Sequence, residues 1–344
     1  MQLEGCISSF WAGNSFKMRP KFDMLVRITI MTVKVYVQFF IFTLPMLASI
    51  FLIRASAPSD DDWQLRWEAF LSLANNNLTI VFGVIPSVVS ITGYWIVGAL
   101  FHLLDVTGWL CEYKVQPETN HPPPSLKLKK ALRSVLFNQL VIGLLTGICS
   151  FEFLRLTNNM VLSSDDIRVL PTIGILLKRL AAFAFCREIA NYYCHRLLHH
   201  RLFYKRFHKQ HHEWTAPVAL MTVCCHPFEH FFNNILPTLV GPGLFQSHPL
   251  INAAWFLLVT LRPVFTHSGY HLPFMPSPEF HDFHHMVINQ NFGNVGVLDA
   301  IHGTDTKWRN SPSFERHFTF FNLMPARKIL KLSKEGKLST KLTI

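Results

Sequence analysis

No charged side chain interrupts the run from Leu78 to Leu104. A hydrocarbon layer of about 30 Å is crossed by about 20 helical residues rising 1.5 Å each, so this run is long enough to span a bilayer with some tilt. Few folds remain open to a chain with such a segment, because a backbone without water must satisfy its own hydrogen bonds. Other stretches repeat the signal. Ile28 to Ile53 carries only Lys34, which can snorkel toward the basic N-terminus, and reads as an earlier span. Val135 to Leu154 reads as a third span and Val169 to Ile189 as a fourth, although Lys178 and Arg179 fall near the middle of the fourth. Phe231 to Phe245 and Leu250 to Val264 are shorter, and the sequence places a turn around Gly241-Pro242-Gly243 and Pro249. They form either a re-entrant hairpin or two crossings.

The expected fold is therefore all-α and integral to a membrane. It has four transmembrane helices, the hairpin, and a helical cap. The chain divides into residues 1–130 (an N-terminal segment, two spans and a linker), 131–316 (the principal domain) and 317–344 (a basic tail). Composition agrees: half of the 344 residues are hydrophobic and 15% are charged. Formal net charge is +11, and basic residues concentrate beside the histidines (Arg196, Arg201, Lys205, Arg206, Lys209) and between Lys307 and Lys341. Such runs suit an anionic membrane face or an acidic protein partner. Nucleic acid is not the expected partner, since no recognised nucleic-acid motif accompanies the charge. The seven cysteines lack C-x-x-C spacing and read as buried thiols. No cleavable signal peptide is evident at the N-terminus.

Lysines at 114, 127, 129 and 130 and Arg133 surround a stiff His121-Pro-Pro-Pro124 linker, whereas Asp60-Asp61-Asp62 marks the preceding loop. By the positive-inside rule the N-terminus and the basic linker face the cytosol. Four crossings then return the chain to the cytosol just before residue 195, and the hairpin returns it to the same side.

Histidines crowd that cytosolic region. His195 and His199 are four apart; His208, His211 and His212 fall at i, i+3 and i+4. The two patterns recur as His267/His271 and His281/His284/His285. On helices, each set would form a stripe on one face. Imidazole is the commonest metal ligand, and ten of them exceed what one zinc takes; shared between two metals they give about five each. A six-coordinate ion would keep one position open for O2 or a substrate atom. Iron fits that description better than zinc, although spacing leaves Zn, Cu and Mn open. His200 is an alternate to His199. Metal-bound histidines usually pass their other N–H to a carboxylate or carbonyl. Glu188, Glu229, Asp282 and Asp299 are candidates, and each reads equally well as an acid paired with neighbouring basic residues. His226 and His230 are either such partners or packing residues. Tyr192, Trp214 and Tyr270, with Tyr193 and Phe228, either line an apolar tunnel or pack at the membrane interface. The isolated His102, His121, His248, His302 and His317 read as hydrogen-bonded or solvated side chains.

The set HRLLH (195–199), HKQHH (208–212), HSGYH (267–271) and HDFHH (281–285) resembles the fatty acid hydroxylase superfamily, which includes sterol C4-methyl oxidases, sterol C5-desaturases and fatty acid 2-hydroxylases. The words HHEWTAP (211–217), HPFEH (226–230) and LDAIHGTD (298–305) strengthen the likeness, which spans roughly residues 130–316. The resemblance implies a multi-pass enzyme of the endoplasmic reticulum membrane with its site facing the cytosol. It also implies a di-iron centre that uses O2 and NAD(P)H-derived electrons delivered through cytochrome b5 or its reductase. Oxidation of a sterol 4-methyl group is the expected reaction, with hydroxylation or desaturation of a fatty acyl chain or sphingolipid as the alternative. A catalytically inactive membrane scaffold binding zinc or lipid is the competing class.

Overall fold

The computed structural model describes residues 60–120, 124–157 and 166–337. The expected first span (28–53), Cys6 and the linker around residues 121–123 lie outside the described residues. Those described form helices and loops, with one antiparallel bridge between Lys114 and Tyr270 and no strand. Helix α1 is Asp60–Leu73, α2 runs Ile80–Thr107 and α3 runs Ser125–Leu156. Helix α4 is Ile173–Leu198. Helix α5 is continuous through Pro227–Glu229, His230–Ile235 and Leu236–Phe245, and α6 is Pro249–Thr266. The short helices α7 (Glu279–Val287), α8 (Val297–His302), α9 (Thr306–Arg309), α10 (Pro312–Glu315) and α11 (Ala326–Lys334) make up the C-terminal part.

Among the described residues, α2, α3 and α6 are long and apolar enough to cross a membrane. The expected fourth span does not meet that standard. Helix α4 forms, but Lys178 is exposed within it, and Arg179 lies over the Phe245 ring instead of in an apolar surface. The hairpin is also drawn differently. Gly241-Pro242-Gly243 does not turn; the helix runs through Pro242 to Phe245, and the chain reverses at Gln246, whose φ is 35°. Gly241 serves packing instead: a Cβ there would meet the Phe183 Cα at 2.7 Å, so its absence lets α5 lie directly on α4. Small residues do the same between α2 and α3, where a Cβ on Gly83 would lie 3.1 Å from the Ile148 Cα and one on Gly147 would lie 3.1 Å from the Gly83 carbonyl. Close backbone approach of this kind is how helices associate in lipid, where apolar side chains gain little by leaving their surroundings.

Helix α6 packs along α2, and α4 along α5. Trp255, Leu258 and Ile251 of α6 join Leu180 and Phe183 of α4 in one apolar cluster. Tyr94 and Phe101 of α2, Val135 of α3 and Leu220 and Met221 form another, which reaches Tyr270 and Phe320. Their effect on function is positional: the C-terminal ends of α4 and α6 are brought together, and α7 is laid across them. A buried ion pair fastens the same region, Lys114 Nζ lying 3.0 Å from Asp105 Oδ1. The cysteines correct one expectation, because Cys111 and Cys149 are exposed while Cys224 and Cys225 are buried; no disulfide occurs among the described residues.

Candidate metal centre

The histidines sort into two sets that cut across their order in the chain. His195, His199, His208, His212 and His284 form one set, and His211, His267, His281 and His285 the other; within each, one ligand atom per residue lies within 4.8 Å of all the rest. Each i, i+3, i+4 motif is therefore split. His211 leaves its neighbours for the second set, and His284 leaves its neighbours for the first.

Local backbone explains the division. His195 lies in the last turn of α4 and His199 caps its end. The next segment is not a regular helix: His208 ends a π-helical turn (Tyr204–His208) and His211 opens a 3-10 turn (His211–Glu213). This change of pitch aims His211 and His212 in different directions, their ring planes 84° apart. On α7, His281 and His285 share a face by the four-residue step, and His284, one position before His285, points to the other set.

The donor atoms fit metal ions. In the first set the Nε2 atoms of His195, His199 and His208 form a triangle with sides of 3.1, 3.3 and 2.9 Å, and the Nε2 of His212 is 3.1 Å from that of His208. In the second set, His267, His281 and His285 form a triangle of 3.0, 3.2 and 3.1 Å, with His211 at 3.4 Å from His267. With metal–nitrogen bonds of about 2.1 Å, adjacent ligands of a six-coordinate ion stand about 3 Å apart. Tautomers decide whether these are merely hydrogen bonds. The Nδ1–H groups of His195, His267 and His284 donate to the carbonyls of Phe292 (2.7 Å), Pro263 (2.8 Å) and Gln290 (2.6 Å). Their Nε2 atoms then carry lone pairs, and that of His284 is buried with no hydrogen-bond partner. Lone pairs brought this close repel unless a cation lies between them. Five donors also exceed a tetrahedral site.

Burial first, and then the neighbouring imidazoles, hold His208, His211, His212 and His285 well below the ordinary imidazole pKa. At neutral pH they are unprotonated and available as ligands.

His271 is the exception among the ten. The spacing from His267 implies a helical step, but α6 ends at Thr266 and Gly269 takes a left-handed φ of 74°. The His271 backbone N–H instead donates to the Tyr113 carbonyl and the Val115 N–H to the Gly269 carbonyl. The ring is carried away from both histidine sets, and its Nε2–H donates to the Phe318 carbonyl at 2.9 Å. His200 is also outside both sets.

The carboxylates divide similarly. Glu229 touches a ligand directly, its Oε1 2.9 Å from Nδ1 of His208, with both side chains buried. Asp299 acts one step back: it accepts from the Phe292 and Gly293 N–H groups, both at 2.8 Å, and from Thr304 Oγ1 at 2.6 Å. It thereby fixes the loop whose Phe292 carbonyl orients His195. Glu188 accepts from the Asn294 N–H in the same loop and touches no histidine ligand. Asp282 faces Gln116 at 2.9 Å. Burial pushes its carboxyl pKa up to about 7. His226 caps α5 by accepting from the Phe228 N–H. His230 is buried in the π turn of α5, beside Asn234.

A cavity of about 770 Å³ opens beside the histidine sets between α2, α3, α4, α5 and α6. His211, His267 and His281 of the four-donor set line it, against His195 alone from the five-donor set. Phe82, Ile91, Phe151, Leu239, Phe256 and Val259 supply much of its apolar wall. Tyr192, Trp214 and Tyr270 do not line it. Tyr192 turns toward Thr304 and stacks on His302, Trp214 is covered by Lys127, and Tyr270 belongs to the core with Phe101. Sequence reasoning missed the three carbonyl partners, which leave no side-chain signature. It also missed a polar wall that includes Arg187, Asn191 and Arg262. Arg187 and Asn191 precede His195 by two and one four-residue steps, a periodicity that marks them as sharing its face.

Residues 180–304, which hold every one of these ligands, match the fatty acid hydroxylase family. Over 266 residues the chain is 39% identical to human fatty acid hydroxylase domain-containing protein 2, covering 76% of this chain and 78% of that protein. The chain belongs to the fatty acid hydroxylase family. More distant members are a very-long-chain aldehyde decarbonylase of Oryza sativa, 29% identical over 65% of this chain and 85% of the relative, and methylsterol monooxygenase 1-1 of Arabidopsis thaliana, 29% identical over 59% and 70%. No solved structure matches. The family's members oxidise or hydroxylate, and the histidine sets and the helices long enough to cross a membrane agree with a metal-binding membrane oxidoreductase acting on lipid.

Proposed function

We propose that this protein is a membrane di-iron oxygenase that inserts oxygen from O2 into a C–H bond of a lipid held in the cavity. The convergence of nine neutral imidazoles into a five-donor and a four-donor set beside an apolar cavity carries the reading. Iron bound there would supply reductive O2 activation, taking two electrons and two protons per turnover and releasing one oxygen atom as water. His195, His199, His208, His212 and His284 would hold one ion, and His211, His267, His281 and His285 the other; His271 is not assigned as a ligand. Glu229 and the carbonyls of Phe292, Pro263 and Gln290 keep the donor nitrogens facing inward. The four-donor set supplies three of the histidines that line the cavity, against one from the five-donor set, so an ion held there would lie nearer the substrate. The apolar wall excludes water from the reacting carbon.

A sterol 4-methyl group is the proposed target, consistent with the methylsterol monooxygenase among the relatives. A fatty acyl lipid is the second reading, which the guanidinium groups in the cavity wall favour. Electrons from NAD(P)H reach the site through cytochrome b5 or its reductase, docked on the exposed Arg201, Lys205, Arg206 and Lys209. That docking weakens with salt. The protein resides in the endoplasmic reticulum membrane with the metal centre on the cytosolic side, and residues 131–316 form its catalytic domain.

Turnover of the reconstituted protein under 18O2, with a 4-methyl sterol and a ceramide as substrates, tests the reading. One labelled oxygen in the product of either supports oxygen insertion and identifies the substrate. Absence of O2-dependent product from both, with one zinc per chain, would establish the scaffold instead.

A further inference from the structure

The cavity described above is not uniformly apolar. Arg187 of α4 and Arg262 of α6 both line it, and Asn294 joins their helices, its carbonyl accepting from Arg262 and its side-chain amide donating to Asn191, one turn beyond Arg187. Arg187 is 8% exposed, yet its one hydrogen bond is a long 3.4 Å contact from Nε to Thr238 Oγ1. A guanidinium has five N–H donors, so the others find no acceptor among the described residues. Arg262 spends part of its fork on Asn294, with Nη2 2.5 Å from the carbonyl oxygen.

Neither arginine lies within ion-pair distance of a carboxylate among the described residues. Glu188 is an acid whose charge acts on both. It sits behind the Asn294 loop, outside the cavity wall, with one oxygen on the Asn294 N–H. Glu229 does line the cavity but is engaged with His208. Asn191, Asn233 and Asn294 hydrogen-bond among themselves and supply no negative charge. Two permanent cations thus share a buried wall with one acid beside them. Buried charges are retained where they are paired, and a planar fork with free N–H groups matches a carboxylate.

We propose that Arg187 and Arg262 form a subsite for the carboxylate of a lipid whose apolar body occupies the cavity. The inference rests on the proposed role only in taking the cavity as the lipid site. Two sources share this chemistry: a fatty acid, and a sterol acid such as full oxidation of a ring methyl would give.

The test measures equilibrium binding to the full, metal-loaded chain in nanodiscs, using two matched pairs. These are hexadecanoic acid with hexadecanol, and a 4-carboxysterol with the corresponding 4-methyl sterol. Charge-assisted hydrogen bonds predict that the acid binds about 10-fold to 100-fold tighter than its neutral partner in at least one pair, and which pair identifies the source. In Arg187→Met that preference should vanish while the neutral ligand binds as before and both metals remain. Equal affinities within both pairs overturn the proposal, as does a preference that survives Arg187→Met. The wild-type comparison stands if the variant does not fold, and Arg187→Gln provides a second. Metal content is read separately. A two-metal protein without acid preference loses the subsite and keeps the oxygenase reading, whereas acid preference without two metals loses the oxygenase reading and keeps the subsite.

Discussion

Replacing Glu229 by Gln isolates what a carboxylate behind a ligand contributes. His208 is the hub of its set: its Nε2 lies 2.9 to 3.1 Å from those of His195, His199 and His212. Its Nδ1 faces Glu229 Oε1 at 2.9 Å, and the two side chains are 0% and 2% exposed, so solvent screens little of the interaction. Gln preserves shape but carries no charge, whereas a cation held at His208 would favour the Glu229 carboxylate over the neutral acid that burial alone favours. A buried charged contact this short contributes on the order of a charge-assisted hydrogen bond, about 1.5–3 kcal/mol. Loss of an outer partner typically lowers metal affinity about 10-fold to 100-fold, or about 1.4–2.8 kcal/mol, so two independent routes give the same range. The assay is competition with a graded series of chelators, followed by metal counting. The five-donor site should release its ion at correspondingly weaker chelator, while the four-donor site, which His208 does not join, keeps its own. Unchanged affinity at both sites would refute the orienting role, and equal weakening of both would refute the division into two sets.

His271→Asn should leave two metals per chain, whereas His267→Asn should remove one, as metal analysis of the purified variants will show; loss of metal from His271→Asn would restore it as a ligand. Asp299→Ala deletes three hydrogen bonds of 2.6 to 2.8 Å on a buried carboxylate and should cost about 3 kcal/mol in detergent unfolding, with weaker metal at the set containing His195. Gly147→Leu would drive a side chain into Ser87 Oγ (2.8 Å from the ideal Cβ) and should destabilise the α2–α3 contact by about 1–3 kcal/mol, seen as a lowered unfolding midpoint with metal content retained at low temperature.

Much of this architecture is legible in the sequence because the strongest physical constraints act locally. An uncharged run marks α2 directly and a largely apolar one marks the later part of α3, and four-residue spacing pairs His195 with His199 and His281 with His285. What sequence spacing could not convey is where the helices stop. Gly269 takes a left-handed turn against Asn120, and the segment 113–115 pairs with 269–271, which removes His271 from the centre; both partners are distant in sequence. The π turn at Tyr204–His208 similarly re-aims His211, and no residue within it announces the change of pitch. Lys178 and Arg179 are the opposite case. Their charges mark the stretch as unlike the other spans, and in the structure α4 contributes a polar stripe through Arg187, Asn191 and His195.

Metal quantitation on the purified full chain tests the central claim most directly. The account predicts about two irons per chain, lost in two separable steps as chelator strength increases, the four-donor set first. One tightly held zinc per chain, with no site for a second ion, would contradict it.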